Sequence, residues 1–303
     1  MKIIKWFAAI AVFILALNLS VTAFASNDNK DEEETINEKY GLPVVVYGAA
    51  LSPAQKEEVR KLLGVTDPSK VREITVTGED LVYYIKGDRH SNMYSSAKIT
   101  REDNGQGLII KQVTPQNITE VTDEMYANAL LTAGVKDAVV EVASPVKVTG
   151  HSALVGIYKA YDEGEGSLNK EHTEVANEEL SLATELAKKE GLDQDKVSEL
   201  LTEIKKEIAE QNPATKEEIQ QIIDEKLKTL EIKLSPEDRQ LLIDLFEKMR
   251  SLNINFENVQ SQLKDLSDDI QKRIEEAVGD KGFLQAVSDF FQKIIDAIKG
   301  LFS

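Results

Sequence analysis

The chain contains no cysteine. Disulfides, thiolate nucleophiles and Cys-ligated zinc are therefore excluded, and stability must come from ordinary packed cores. Tryptophan is nearly absent: the one residue, Trp6, lies in the first apolar segment. Histidine occurs three times, as His90, His151 and His172. None shows metal-ligand spacing such as H-x-x-x-H, so surface or capping roles are expected for them. Positive charge is scarce as well, with 36 Lys and Arg against 53 Asp and Glu and a net charge of −17. Such a chain is repelled by nucleic acid and by anionic lipid or wall polymer, which removes nucleic acid from the partners expected.

What is present begins with the first 25 residues. Lys2 and Lys5 precede an almost unbroken apolar run, and Ala23-Phe24-Ala25 supplies the small-x-small pattern of an export peptidase. Cleavage is expected between Ala25 and Ser26, giving a secreted protein or one on the extracellular face of the envelope. The rival reading is an uncleaved anchor. Residues 6–25 are just long enough to span a bilayer at about 1.5 Å per residue. Asn18, Ser20 and Thr22 make the second half polar, and no positive stop follows, which favours cleavage.

The mature chain of about 278 residues is long enough for two domains. Residues 26–39, with Asp31-Glu-Glu-Glu34 at their centre, form an acidic leader expected to be disordered. All eight Tyr lie between Tyr40 and Tyr161, whereas every mature Phe lies from Phe246 onward. Residues 26–161 carry 20 acidic and 15 basic side chains, and residues 162–303 carry 33 and 19. Asp162-Glu-Gly-Glu-Gly166 sits between, so we place a boundary near 162–170, with domains 40–161 and 162–303.

The first domain alternates strands and helices. Strands are expected at 44–47, 73–77, 108–113 and 138–142. Ser52-Pro53 caps a helix stopped by Gly64, and Thr122 caps one stopped by Gly134. A strand-helix-strand unit thus occurs twice, as in a ferredoxin-like sandwich. Asn104-Gly105 suggests a hairpin joining strands at 95–101 and 108–113. The segment 81–94 reads as irregular and holds Tyr83, Tyr84, Arg89, His90 and Tyr94, the most site-like surface of this half, although those tyrosines also suit packing on the sheet.

The second domain reads as entirely helical, with helices at 171–190, 193–210, 215–230, 236–252, 256–278 and 283–301. Short connections favour a bundle, and the fold class is α+β followed by all-α. In the last helix Phe283, Phe290, Phe291, Ile294, Ile298 and Phe302 share one face. Such a face either docks into the bundle or contacts a membrane or partner.

Few residues invite a chemical reading. Gly150-His-Ser-Ala-Leu154 departs from a nucleophile elbow, which needs Gly where Leu154 stands. The better reading is a helix start, with Thr149 or Ser152 as cap. Carboxylates are too numerous to single out a glycosidase pair, and the mature chain offers no Trp to line a sugar cleft. No cofactor, metal site or catalytic residue is expected.

The run Ile118-Thr-Glu-Val-Thr-Asp-Glu-Met-Tyr-Ala-Asn-Ala-Leu-Leu-Thr-Ala-Gly-Val-Lys-Asp-Ala138, with Ala143-Ser-Pro-Val-Lys-Val-Thr-Gly150 after it, resembles the YpuA-like family of exported Gram-positive proteins, a domain of unknown function. The likeness covers roughly residues 43–300. It implies export and the two-part layout, and it assigns no activity. The expectation is a non-enzymatic binding or assembly protein of the cell envelope. The alternatives are a hydrolase of wall polymer using the Tyr83 to Tyr94 segment, and a membrane-associating protein using 283–302.

Overall fold

The computed structural model describes residues 39–163, 167–189 and 192–278. The cleavage site at Ala25 and Ser26, the acidic leader up to residue 38 and the amphipathic helix at 283–302 lie outside the described residues. The architecture is α+β: a five-stranded sheet threaded by four helices, then five more helices in the remaining described chain.

Strand β1 (Val44–Gly48) is buried along its whole length. Its alternation sorts the two sides of the sheet. Val45 and Tyr47 face a small core with Val59 of helix α1 (Pro53–Leu62) and Leu63, the residue that caps its C-terminus. Val44 and Val46 face the large core. Helix α1 starts at a capping box: Ser52 Oγ accepts the Gln55 amide N–H and Gln55 Oε1 accepts that of Ser52. Strand β2 (Arg72–Val76) follows, then helix α2 (Gly78–Ile85), strands β3 (Ser96–Arg101) and β4 (Leu108–Gln112), helix α3 (Asp123–Ala133), strand β5 (Ala138–Ala143) and helix α4 (His151–Glu163).

The two strand-helix-strand units are present, and each keeps its parallel strands as direct neighbours. The order β2-β1-β3-β5-β4 sets β3 antiparallel between the units. It differs from the split arrangement of a ferredoxin-like sheet, where each unit's strands are separated by another. The expected hairpin between β3 and β4 does not form, because β5 lies between them. Asn104 and Gly105 still form a turn, with Gly105 at φ +89°, and Gly107 lies at φ +84°. The two glycine amides are held by Asp137 Oδ1 at 2.9 and 3.1 Å, which steers β4 to the outer side of β5.

A second correction concerns 81–94. Its first part belongs to α2, entered through a capping box between Thr77 and Asp80. Gly78, which resembles a breaker, is the first helical residue. A Cβ there would lie 1.8 Å from the Arg89 carbonyl oxygen, so the returning chain requires glycine.

The remaining helices are α5 (Lys170–Ala187), α6 (Gln194–Gln211), α7 (Lys216–Thr229), α8 (Pro236–Ser251) and α9 (Gln260–Val278), the last entered by a 3-10 turn at Phe256–Val259. Side-chain caps from Asn169, Asp193, Thr215 and Ser235 start α5 to α8. One large apolar cluster runs from Val44 through α3 and α4 to Leu263 of α9. The sheet half and the helical half therefore share a core. Each fully buried Leu or Ile in it contributes about 1.5–3 kcal/mol.

Candidate functional site

Two helix ends build a cleft of about 340 Å³ in the helical half. Helix α6 terminates at Asn212 in the left-handed conformation, φ 48°, and Pro213 follows. Helix α8 ends next to Asn253, which is also left-handed at φ 54°. Asn255 then caps the 3-10 turn, its Oδ1 accepting the Glu257 amide at 2.8 Å. The three asparagines line the cleft over an apolar floor that includes Ile219, Phe246 and Phe256, all buried. Arg250 reaches across it, donating to the Ala214 carbonyl at 3.0 Å and to both carboxylate oxygens of Glu247. The only ionised side chains among the lining residues are Arg250 and Glu257.

Behind Phe256 lies a buried polar cluster. Lys205 of α6 is 0% exposed and forms an ion pair with Glu179 of α5, 1% exposed. Its Nζ also donates to the backbone carbonyl of Asn128 at 2.8 Å and to Asn128 Oδ1 at 3.2 Å. It lies 5.8 Å from the Phe256 ring centre. Glu179 Oε2 accepts from Thr132 Oγ1 at 2.5 Å. Asn128 Nδ2 donates to Thr202 Oγ1 at 2.9 Å. Burial drives the Lys205 ammonium toward its neutral form against the pull of Glu179. The Tyr158 and Ser198 hydroxyls are also buried, with no hydrogen-bond partner among the described residues. Burial holds the Tyr158 hydroxyl well above its ordinary pKa, and the charge of Glu179 adds to this.

None of Lys205, Glu179 or Asn128 stands out in the sequence. One signal is there: Lys205 follows Leu201 by four residues and Ile204 by one, which puts a cation within the apolar stripe of α6.

The segment singled out from sequence is dispersed. Tyr83 is 57% exposed, its ring under Lys170 Nζ at 5.0 Å. Tyr84 is a core residue whose hydroxyl donates to Asp162 Oδ2 at 2.9 Å. Arg89 and His90 are exposed and Tyr94 is half-buried. The histidines do not converge either. His90 is on the surface, His151 Nε2 is 3.3 Å from Thr184 Oγ1, and His172 Nε2 is 3.2 Å from the Leu252 carbonyl. Ser152 sits in the first turn of α4 directly after Gly150, so the Gly-His-Ser run is a helix start. Among the described residues no three His, Asp or Glu gather as a metal site. Among them, too, no helix is long and apolar enough to cross a membrane.

At the outer edge of the sheet Asp123 Oδ1 accepts the Gln112 amide at 3.1 Å. Desolvation, and next the neighbouring Glu124, raise its pKa to about 6.

These features define an α+β protein with a shared core, a polar cleft at two helix ends and an ionic cluster sealed beneath it. The model of a family described as "Protein of unknown function (DUF1002)" matches residues 47–266, and the chain belongs to that family. It is 37% identical over 269 residues to "Uncharacterized protein YpuA" of Bacillus subtilis (strain 168), covering 86% of this chain and 90% of that protein. No solved structure matches.

Proposed function

We propose that the protein is exported and serves as a non-enzymatic binding protein of the cell envelope, taking an uncharged polar ligand into the cleft over Phe256. The observation that carries this reading is the chemistry of the lining. Asn212, Asn253 and Asn255 offer amide donors and acceptors together, which suits amide and hydroxyl groups of a ligand. Glu257 is the only carboxylate among the lining residues, whereas polymer hydrolysis by paired acids needs two. The leader pattern ending at Ala25 supports export. The acidity of the chain favours neutral or cationic partners over anionic wall polymers.

The test is co-sedimentation of residues 26–303 with purified Gram-positive cell walls, with the supernatant assayed for released fragments. Binding without release is expected. Release of soluble sugars or peptides would favour the alternative of a wall hydrolase, and protein left in the supernatant would remove the binding reading. The membrane alternative rests on the apolar face of 283–302 and predicts that a chain ending at Lys281 loses liposome binding but keeps its fold.

A further inference from the structure

Lys205 and Asn128 lie 77 residues apart in sequence and meet where α6 crosses α3. We propose that the Lys205 Nζ and the Asn128 side-chain amide form an intramolecular isopeptide bond, with Glu179 carrying the proton. Three features of the site favour that chemistry.

The first is placement. Nζ lies 3.2 Å from Asn128 Oδ1. The amide is clamped from the other side, Nδ2 donating to Thr202 Oγ1 at 2.9 Å and to the Ser198 carbonyl at 3.4 Å. Nucleophile and carbonyl are thus presented to each other by two packed helices, which removes most of the entropic cost of their encounter. The second is a proton acceptor. Glu179 pairs directly with Nζ and is itself oriented by the Thr132 hydroxyl at 2.5 Å. The third is dryness. Lys205, Asn128 and Glu179 are at most 1% exposed, and the Phe256 ring stands between Nζ and the cleft. Burial pushes the Lys205 ammonium toward its neutral amine, the form that attacks a carbonyl.

The step balances without an outside reactant. The Nζ–Cγ bond forms and the Cγ–Nδ2 bond breaks. One proton of the attacking amine passes through Glu179 to the departing nitrogen, which leaves as ammonia, and Glu179 is regenerated. Nothing is oxidised or reduced. The product is a secondary amide tying the sheet half to the helical half in a chain that has no cysteine for a disulfide. Like a disulfide, it would restrict the unfolded chain.

The experiment is mass spectrometry of the purified protein. The intact mass is expected to fall short of the sequence mass by one ammonia, about 17 Da. Trypsin is expected to leave Lys205 uncut and to release residues 112–136 joined to residues 197–206. Glu179→Gln and Lys205→Met should restore the full mass and separate the two peptides. Full sequence mass in the wild type, with Lys205 cleaved by trypsin, overturns the proposal. So does an ammonia loss confined to the peptide bearing Asn128, which is ring closure of asparagine on its own backbone. The wild-type measurement decides the matter even where a variant fails to fold.

Discussion

The Tyr126 hydroxyl donates to the Gly150 carbonyl oxygen at 2.6 Å, and a Cβ on Gly150 would lie 2.7 Å from that hydroxyl. Gly150 also sits at φ +108°, and its Cβ would press on Ile118 Cγ2 at 2.8 Å. Conformation and space both demand glycine where the chain enters α4. Gly150→Ala is therefore expected to cost more than the ordinary 1 kcal/mol of a glycine replaced at positive φ, roughly 2–4 kcal/mol with the clash included. Urea denaturation followed by circular dichroism measures it. A loss below about 0.5 kcal/mol would show that the α4 entry relaxes freely.

The buried cation gives a second expectation. In Glu179→Ala, which cannot form the proposed bond to Asn128, Lys205 is a cation without its counter-charge in a site closed to water, so the loss is at least about 3–5 kcal/mol. Adding Lys205→Met removes the stranded charge while keeping its volume. The double variant should be more stable than Glu179→Ala alone by about 2 kcal/mol or more. Equal denaturation midpoints would mean that water reaches Lys205 in the variant.

Asp123 links stability to pH. Its folded pKa, about 6, lies above the unfolded value near 3.8. The folded state holds the proton more tightly, so this group favours folding at low pH, and that contribution is lost as pH rises from about 4 through about 6. His151 acts in the opposite sense, since burial lowers its pKa and folding then opposes its protonation below pH 6.5. Asp123→Asn can still accept the Gln112 amide and isolates the carboxyl. Between pH 4 and 7 the wild type should lose about 1–2 kcal/mol relative to that variant, a figure reduced for the partial exposure of Asp123. Parallel stability curves for the two proteins would contradict the shift.

Local signals carried much of this fold. Ser52-Pro53 and Gly64, Thr122 and Gly134, and Ser235-Pro236 mark helix ends that the structure keeps, because caps act over three or four residues. Asn104 and Gly105 form a turn, with Gly105 at positive φ. What they do not specify is the strand β4 joins, since Asp137 reaches that turn from 30 residues away. Helix α2 was obscured by Gly78, whose requirement comes from Arg89 and not from its neighbours. The cleft was illegible for a similar reason, because Asn212 and Asn253 follow different helices and come together only in the fold. Lys205 resembles any surface lysine of an acidic helix, and only its place on the apolar stripe betrays its burial.

The central claim, that this is an envelope-binding protein using the cleft over Phe256, is tested most directly at the cleft rim. Asn253 is exposed and left-handed at φ 54°, a conformation that glycine adopts without strain. Asn253→Gly removes one amide from the cleft and should leave the thermal midpoint nearly unchanged. The measurement is binding of residues 26–303 and of this variant to purified Gram-positive cell walls. The account predicts saturable binding by the wild type and at least about tenfold weaker binding by the variant, a loss of about 1.4 kcal/mol. Equal binding by both proteins, or none by either, would contradict it.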